Sequence, residues 1–245
     1  MTKLLKYDFK NTLLTFAVIF LVCIIGVIAS MEKHFLAHQT YMSMQFALLI
    51  LGIGAVALTL GTIVFLAGEF ERELYGRRGY LVWTLPVNSS HILISKFLIA
   101  CIWSFCCSIM LWIVIDRMAE ANYLMQESLH QIFSDTEISD KIAIPAIVEF
   151  VPLAWLSLFL SVSRAYCCLS IAHSIARGKK CVFLAVILFL LFVYAEGMIT
   201  VKMTTKFLFG WETIETTIAY MQMAASALVY LAATLFLRKK RFDLV

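Results

Sequence analysis

The chain has 245 residues, 62% of them hydrophobic and only 15% charged, with a formal net charge of +4. A soluble domain of this length carries more charge and an apolar share nearer half, so the composition excludes a water-soluble globule. The small basic surplus calls for no nucleic-acid partner, because cations beside apolar blocks set membrane topology and meet anionic headgroups.

The apolar residues fall in long blocks, and a helix crossing the hydrocarbon layer needs about 20 of them at 1.5 Å each. Met1 to Asn11 places Leu4, Leu5, Tyr7 and Phe9 among Lys3, Lys6, Asp8 and Lys10, which predicts a short interfacial helix. The first block runs from Leu13 to Ser30. Lys3, Lys6, Val27 and Ala29 resemble parts of a cleaved signal peptide, but the run is long and Lys10 adds a third charge, so it reads as a membrane anchor. The second block is Met44 to Ala67; Gly54, Ala57, Gly61 and Gly68 form a small-residue stripe, expected to serve packing within the chain rather than a dimer seam. A long inner loop from Phe70 to Lys96 leads to the third block, Phe97 to Ile115.

The long outer loop, Ala119 to Lys141, repeats Met125, Leu129, Ile132 and Phe133 at helical spacing, which predicts an amphipathic helix. The fourth block, Ile142 to Leu169, contains Pro145, Pro152 and Arg164. The fifth, Cys181 to Val201, is strictly apolar only to Ala195, so it must continue through Glu196 and Gly197 or end in a protein-lined cavity. Gly197 to Thr217 is an outer segment able to re-enter the membrane, and the sixth block is Ile218 to Leu237. The fold class is therefore an all-α polytopic membrane protein with six transmembrane helices in a single domain spanning 1–245. Of the 20 Lys and Arg, only Lys33, Arg117, Lys141, Lys202 and Lys206 fall on the outer side if both termini are cytoplasmic; the other fifteen fall inside. The positive-inside rule thus predicts a multi-pass protein of the cell membrane with both ends in the cytoplasm.

Chemistry-bearing patterns are few. A phosphate-binding loop needs G-x-x-x-x-G-K-[ST], and the nearest match, Gly178-Lys179-Lys180-Cys181, has His173 in place of the first glycine. It reads as a basic inner turn, so no ATP hydrolysis is expected of this chain. His34 and His38 lack a third strong ligand, and no metal site is expected. The seven cysteines all lie in or beside spans without a C-x-x-C pair, and read as small packing residues. Charges within the spans are a stronger signal. Arg164, Glu149 and Glu196 are candidates for a polar transport path; the alternative has Arg164 snorkelling to the inner headgroups and the glutamates reaching the outer interface.

The inner loop is the most informative stretch. It carries Tyr75, Tyr80, Leu81, Trp83 and Leu85 on the cytoplasmic side, where apolar groups need a membrane surface or a protein to cover them. The pattern Phe70-Glu71-Arg72, then Gly79-Tyr80-Leu81, Thr84-Leu85-Pro86-Val87 and Ser95-Lys96, resembles the first inner loop of bacterial ABC exporter permeases of the type-2 superfamily. The rest of the chain is similar in plan to that family. The resemblance implies a coupling helix in this loop that docks on a separate cytoplasmic ATPase subunit, with Glu71, Arg72, Tyr80, Leu81, Thr84, Leu85, Pro86 and Lys96 as coupling residues. It also implies a second permease copy or a related permease, no cofactor in this chain, and ATP with Mg in the partner. The family exports drugs, peptides, glycolipids or ions, so no substrate follows. The other reading is a non-transporting signalling, immunity or scaffold protein, which has no need of an apolar cytoplasmic patch beside Glu71-Arg72-Glu73.

Overall fold

A helix satisfies all its backbone hydrogen bonds within one segment, which is why long apolar stretches in lipid fold this way. The computed structural model describes the backbone of residues 2–35, 41–76, 89–132, 147–176, 179–207 and 212–242, and side chains within these segments at 5–28, 49–76, 90–120, 150–176, 180–198 and 220–237. Six helices fill the described segments: α1 (Thr2–Phe35), α2 (Tyr41–Leu74), α3 (Ser89–Ile132), α4 (Ile147–Ile175), α5 (Lys179–Phe207) and α6 (Glu212–Phe242). Each holds a stretch long and apolar enough to cross a membrane: Leu5–Ile28, Leu49–Leu74, Ser90–Glu120, Phe150–Ile175, Lys180–Met198 and Tyr220–Leu237. The six-span fold class is thus observed.

The helices run past the apolar blocks. The N-terminal amphipathic stretch is helical and enters the first span without a break. Its Asp8, Thr12 and Phe16 are buried at i, i+4 and i+8, while Lys6, Tyr7 and Lys10 face outward. α3 likewise continues as one helix to Ile132, through the first part of the expected outer amphipathic segment. α5 passes through Glu196 and Gly197 to Phe207, which resolves its short apolar core, and most of the segment before the last span is built as the end of α5 and the start of α6. Of the inner loop expected to carry the coupling helix, Phe70 to Lys96, residues 77–88 lie outside the described residues.

The chain divides into two compact units. One comprises Lys6–Thr62 and Ile102–Trp155; the other comprises Met1–Leu5, Ile63–Cys101 and Leu156–Val245. α1, α2, α3 and α4 each contribute to both, so neither unit is a continuous stretch of sequence. In the first, the Trp103 ring of α3 lies between Phe9 and Phe16 of α1, with centroids at 5.3 and 4.1 Å and planes within 8°. Its indole N–H donates to Thr12 Oγ1 at 2.9 Å, so the one polar atom of this apolar anchor is satisfied. Cys23, Leu51, Leu58 and Val114 form a buried cluster, and Thr62 Oγ1 meets Cys107 Sγ at 3.2 Å. The cysteines here are packing residues, as expected, and all seven are free thiols.

The small-residue stripe on α2 behaves differently from its expected role. A Cβ built on Gly54, Gly61 or Gly68 meets nothing within 4 Å among the described residues. Among the described residues, no close approach requires glycine at these three positions. Gly54, Ala57 and Gly61 instead line a groove of about 400 Å³ with Val18, Val22, Gly26 and Ile50.

Trp103→Leu should lower stability by about 2 kcal/mol in a sodium dodecyl sulfate unfolding titration, because it removes two ring contacts and one hydrogen bond. Trp103→Phe, which keeps the stack, should cost about 1 kcal/mol.

Candidate functional site

Two clusters carry the chemistry of the second unit, and both use α4. Its apolar window is 67% buried, against 11% for that of α5, and every residue from Val162 to Ser170 is buried. A helix enclosed all round is forced to present different residues to different neighbours. Arg164 and Tyr166 are about 200° apart around the axis at 100° per residue. Leu160, Arg164 and Cys167 therefore share one face, and Tyr166 and His173 share the opposite one.

The first cluster forms at the end of α2. Phe70 stacks on Tyr166 at 4.1 Å and 11°, and Phe97 of α3 meets the same tyrosine edge-on at 5.3 Å. Tyr75 stacks on His173 at 3.9 Å and 4°. The Lys96 ammonium donates to Glu73 Oε2, and both residues are buried, Lys96 at 8% exposure. This ion pair closes the chain on itself across 23 residues, one partner at the end of α2 and the other in the second turn of α3. Gly76 makes the exit from α2. Its N–H donates to Glu71 O at 3.0 Å, and a Cβ there would lie 2.5 Å from Arg72 O, so only glycine fits.

The second cluster lies inside the span. The Arg164 guanidinium donates to Glu196 Oε2, and the Tyr230 hydroxyl donates to Glu196 Oε1 at 2.5 Å, so both carboxylate oxygens are engaged. The geometry follows from helix direction. Arg164 is eleven residues before the end of α4, about 16 Å of rise, and Glu196 is seventeen residues after the start of α5, about 26 Å. Side chains lean toward the N-terminus of their own helix, so in these antiparallel neighbours the arginine and the glutamate lean toward each other and close the offset. The guanidinium also lies 5.6 Å from the Phe189 ring centroid and 6.0 Å from that of Tyr230. Phe192 packs edge-on against Tyr230, and Leu160, Cys167 and Ala227 enclose the cluster. Arg164 Nε is buried with no hydrogen-bond partner among the described residues. A lone charge at this depth costs about 2.5 to 3.5 kcal/mol on insertion scales; the pair and the aromatic faces offset that cost.

Among the sequence candidates, Arg164 and Glu196 come together in one cluster, which is neither of the separate excursions to opposite headgroups that snorkelling requires. Glu149 sits in the first turn of α4, and its side chain lies outside the described residues. Of the coupling candidates, Glu71 is half-buried with Oε1 3.7 Å from His173 Nε2, and Arg72 is exposed and pairs with Glu69 at 2.5 Å. Lys96 is at the root of the loop, where it pairs with Glu73 and braces the two helix ends. Tyr80, Leu81, Thr84, Leu85 and Pro86 lie outside the described residues, as does the side chain of His34 and the whole of His38. The sequence reading missed Tyr230, counted as one apolar residue of the last block. A mid-span phenol is itself a signal, since its O–H needs an acceptor in lipid.

These spans and buried charges define a class: the protein is a multi-pass helical membrane protein. No family model, curated protein or solved structure matches the chain.

Arg164→Met should destabilise the fold by about 2.5 to 3.5 kcal/mol, because it leaves the part-buried Glu196 carboxylate uncompensated inside the span. Arg164→Met combined with Glu196→Leu should recover most of that loss, and a double variant as unstable as the single would show that the pair is not the relevant partner. The same detergent titration measures both.

Proposed function

We propose that this protein is the membrane-spanning permease subunit of an ATP-driven ABC exporter, which forms the translocation path and couples to a separate cytoplasmic ATPase. The observation that carries the reading is the way the loop with the type-2 motif is anchored. Its two ends are joined by Glu73 and Lys96, and its first residues pack through Phe70 and Tyr75 on α4. A simple surface loop needs no such root. A loop that receives force from a partner does, because a push on a flexible hinge would dissipate before it reached the spans.

The orientation that fits has both termini and this loop in the cytoplasm, as the distribution of basic residues favours. The partner supplies ATP and Mg chemistry; this chain supplies the docking face, with Tyr80, Leu81 and Leu85 at its centre, and the spans that alternate between inward and outward openings. Two permease copies, or this chain with a related one, would complete the path. Arg164 and Glu196 are the path residues of choice, since a charge pair inside the span is a device that can open to a polar cargo.

Affinity purification of the tagged chain from its native membrane should recover an ATP-hydrolysing subunit, and Leu81→Asp should release it while the permease still inserts and folds. A complex that stays intact and coupled in Leu81→Asp moves the docking face to the Arg177–Lys180 turn. Single-cysteine labelling with an impermeant maleimide should reach the 119–141 segment from outside the cell and leave the 238–245 tail unlabelled; a labelled tail overturns the orientation.

A further inference from the structure

The two clusters of the second unit stand on opposite faces of the same buried stretch of α4. Tyr166 meets Phe70 and Phe97 from α2 and α3. Two residues earlier, Arg164 meets Glu196 and Phe189 from α5 and Tyr230 from α6. Close packing on both sides leaves this stretch no room to adjust one face alone, because interiors at crystal-like density pass displacement on rather than absorb it. A rotation of α4 that relieves the stack at Tyr166 must carry Arg164 around the same axis. The ion pair responds sharply to such a rotation, since a charge-assisted bond depends on both distance and angle. The aromatic stack tolerates sliding more readily, as offset arrangements of rings are all favourable. The arrangement thus turns a graded movement at one face into loss of a specific contact at the other.

We propose that Tyr166 is a positioning residue through which the root of the inner loop, Phe70, Glu73, Tyr75 and Lys96, sets whether Arg164 holds Glu196. The coupling deepens the permease reading by naming the route from the loop to the buried charges, and it rests on that reading for its purpose alone. Coupling between two sites is reciprocal. Opening the charge cluster must therefore loosen the loop root by the same factor that loosening the root opens the cluster.

The native thiols provide the reporter. Cys168 lies one helical turn beyond Arg164 on the same face and is 1% exposed; Cys107 has the same exposure and belongs to the other unit. The chain alone, in lipid nanodiscs, is prepared with Cys168 or Cys107 as its only cysteine. Phe70→Leu, which removes the ring on Tyr166, should raise the rate of N-ethylmaleimide modification at Cys168 by about fivefold, the scale of coupling carried by such contacts. The Cys107 rate should be unchanged. In the reverse direction, Glu196→Gln should raise acetylation of Lys96 by acetic anhydride, read by mass spectrometry, by a similar factor. The double variant, Phe70→Leu with Glu196→Gln, should fall short of the product of the single effects at either reporter. An unchanged Cys168 rate in Phe70→Leu overturns the coupling. So does a parallel rise at Cys107, which marks general loosening, or a Lys96 rate indifferent to Glu196→Gln. Because no ATPase is present, failure to recover an ATPase partner overturns the permease reading and leaves this coupling standing.

Discussion

A guanidinium held in the middle of an apolar helix obliges its surroundings to supply a counter-charge, and the pairing of Arg164 with Glu196 is the contact on which the second unit depends. It fixes the rotation of α4, because only one face can hold the arginine. It fixes the register of α5 against α4, because the offset between the two residues is closed by side chains leaning in opposite directions along antiparallel helices. It recruits α6 through the Tyr230 hydroxyl, so three helices are specified by one carboxylate. In lipid the tails are as apolar as the side chains, so no hydrophobic drive joins the helices and their register rests on packing and polar contacts. A buried pair contributes modestly to net stability and strongly to which arrangement is allowed.

With α4 oriented by its charge, the residues on its opposite face take their positions. Tyr166 and His173 are turned toward the end of α2, where Phe70 and Tyr75 stack on them. The loop that follows begins from a capped, aromatic-packed helix end and returns to the salt-bridged start of α3. Stiffness at the root of that loop is what a device driven from outside the membrane requires, and the permease reading draws its physical support from it. The small-residue stripe of α2 makes a contrasting point. A Cβ on Gly54, Gly61 or Gly68 would meet nothing within 4 Å among the described residues, so no close approach seen there requires glycine.

Much of this was legible in the residues. Six apolar blocks gave six helices, because backbone polar groups in lipid leave no other open-ended solution. The short apolar core of the fifth block left two outcomes, continuation through Glu196 or an end in a protein-lined cavity, and the helix continues. Arg164 and Glu196 stood out as charges where charges are costly. Their pairing did not, since residues 32 apart in sequence meet only once the turn length and the lean of both side chains are known. Lys96 makes a different point. In the sequence it flanks a docking motif as a cation, while in the fold it is buried against Glu73.

The sequence by itself determined the number of the spans and the places where charge enters them. These are local properties, set by the cost of exposing peptide groups and charges to hydrocarbon, and each residue carries its share of them wherever the chain goes. The tertiary structure alone decided which charges neutralise one another, that Tyr230 completes the cluster, and that one helix bears both the aromatic root and the ion pair on opposite faces. Those outcomes depend on helix rotation and register, which no local preference encodes and which only packing in three dimensions settles.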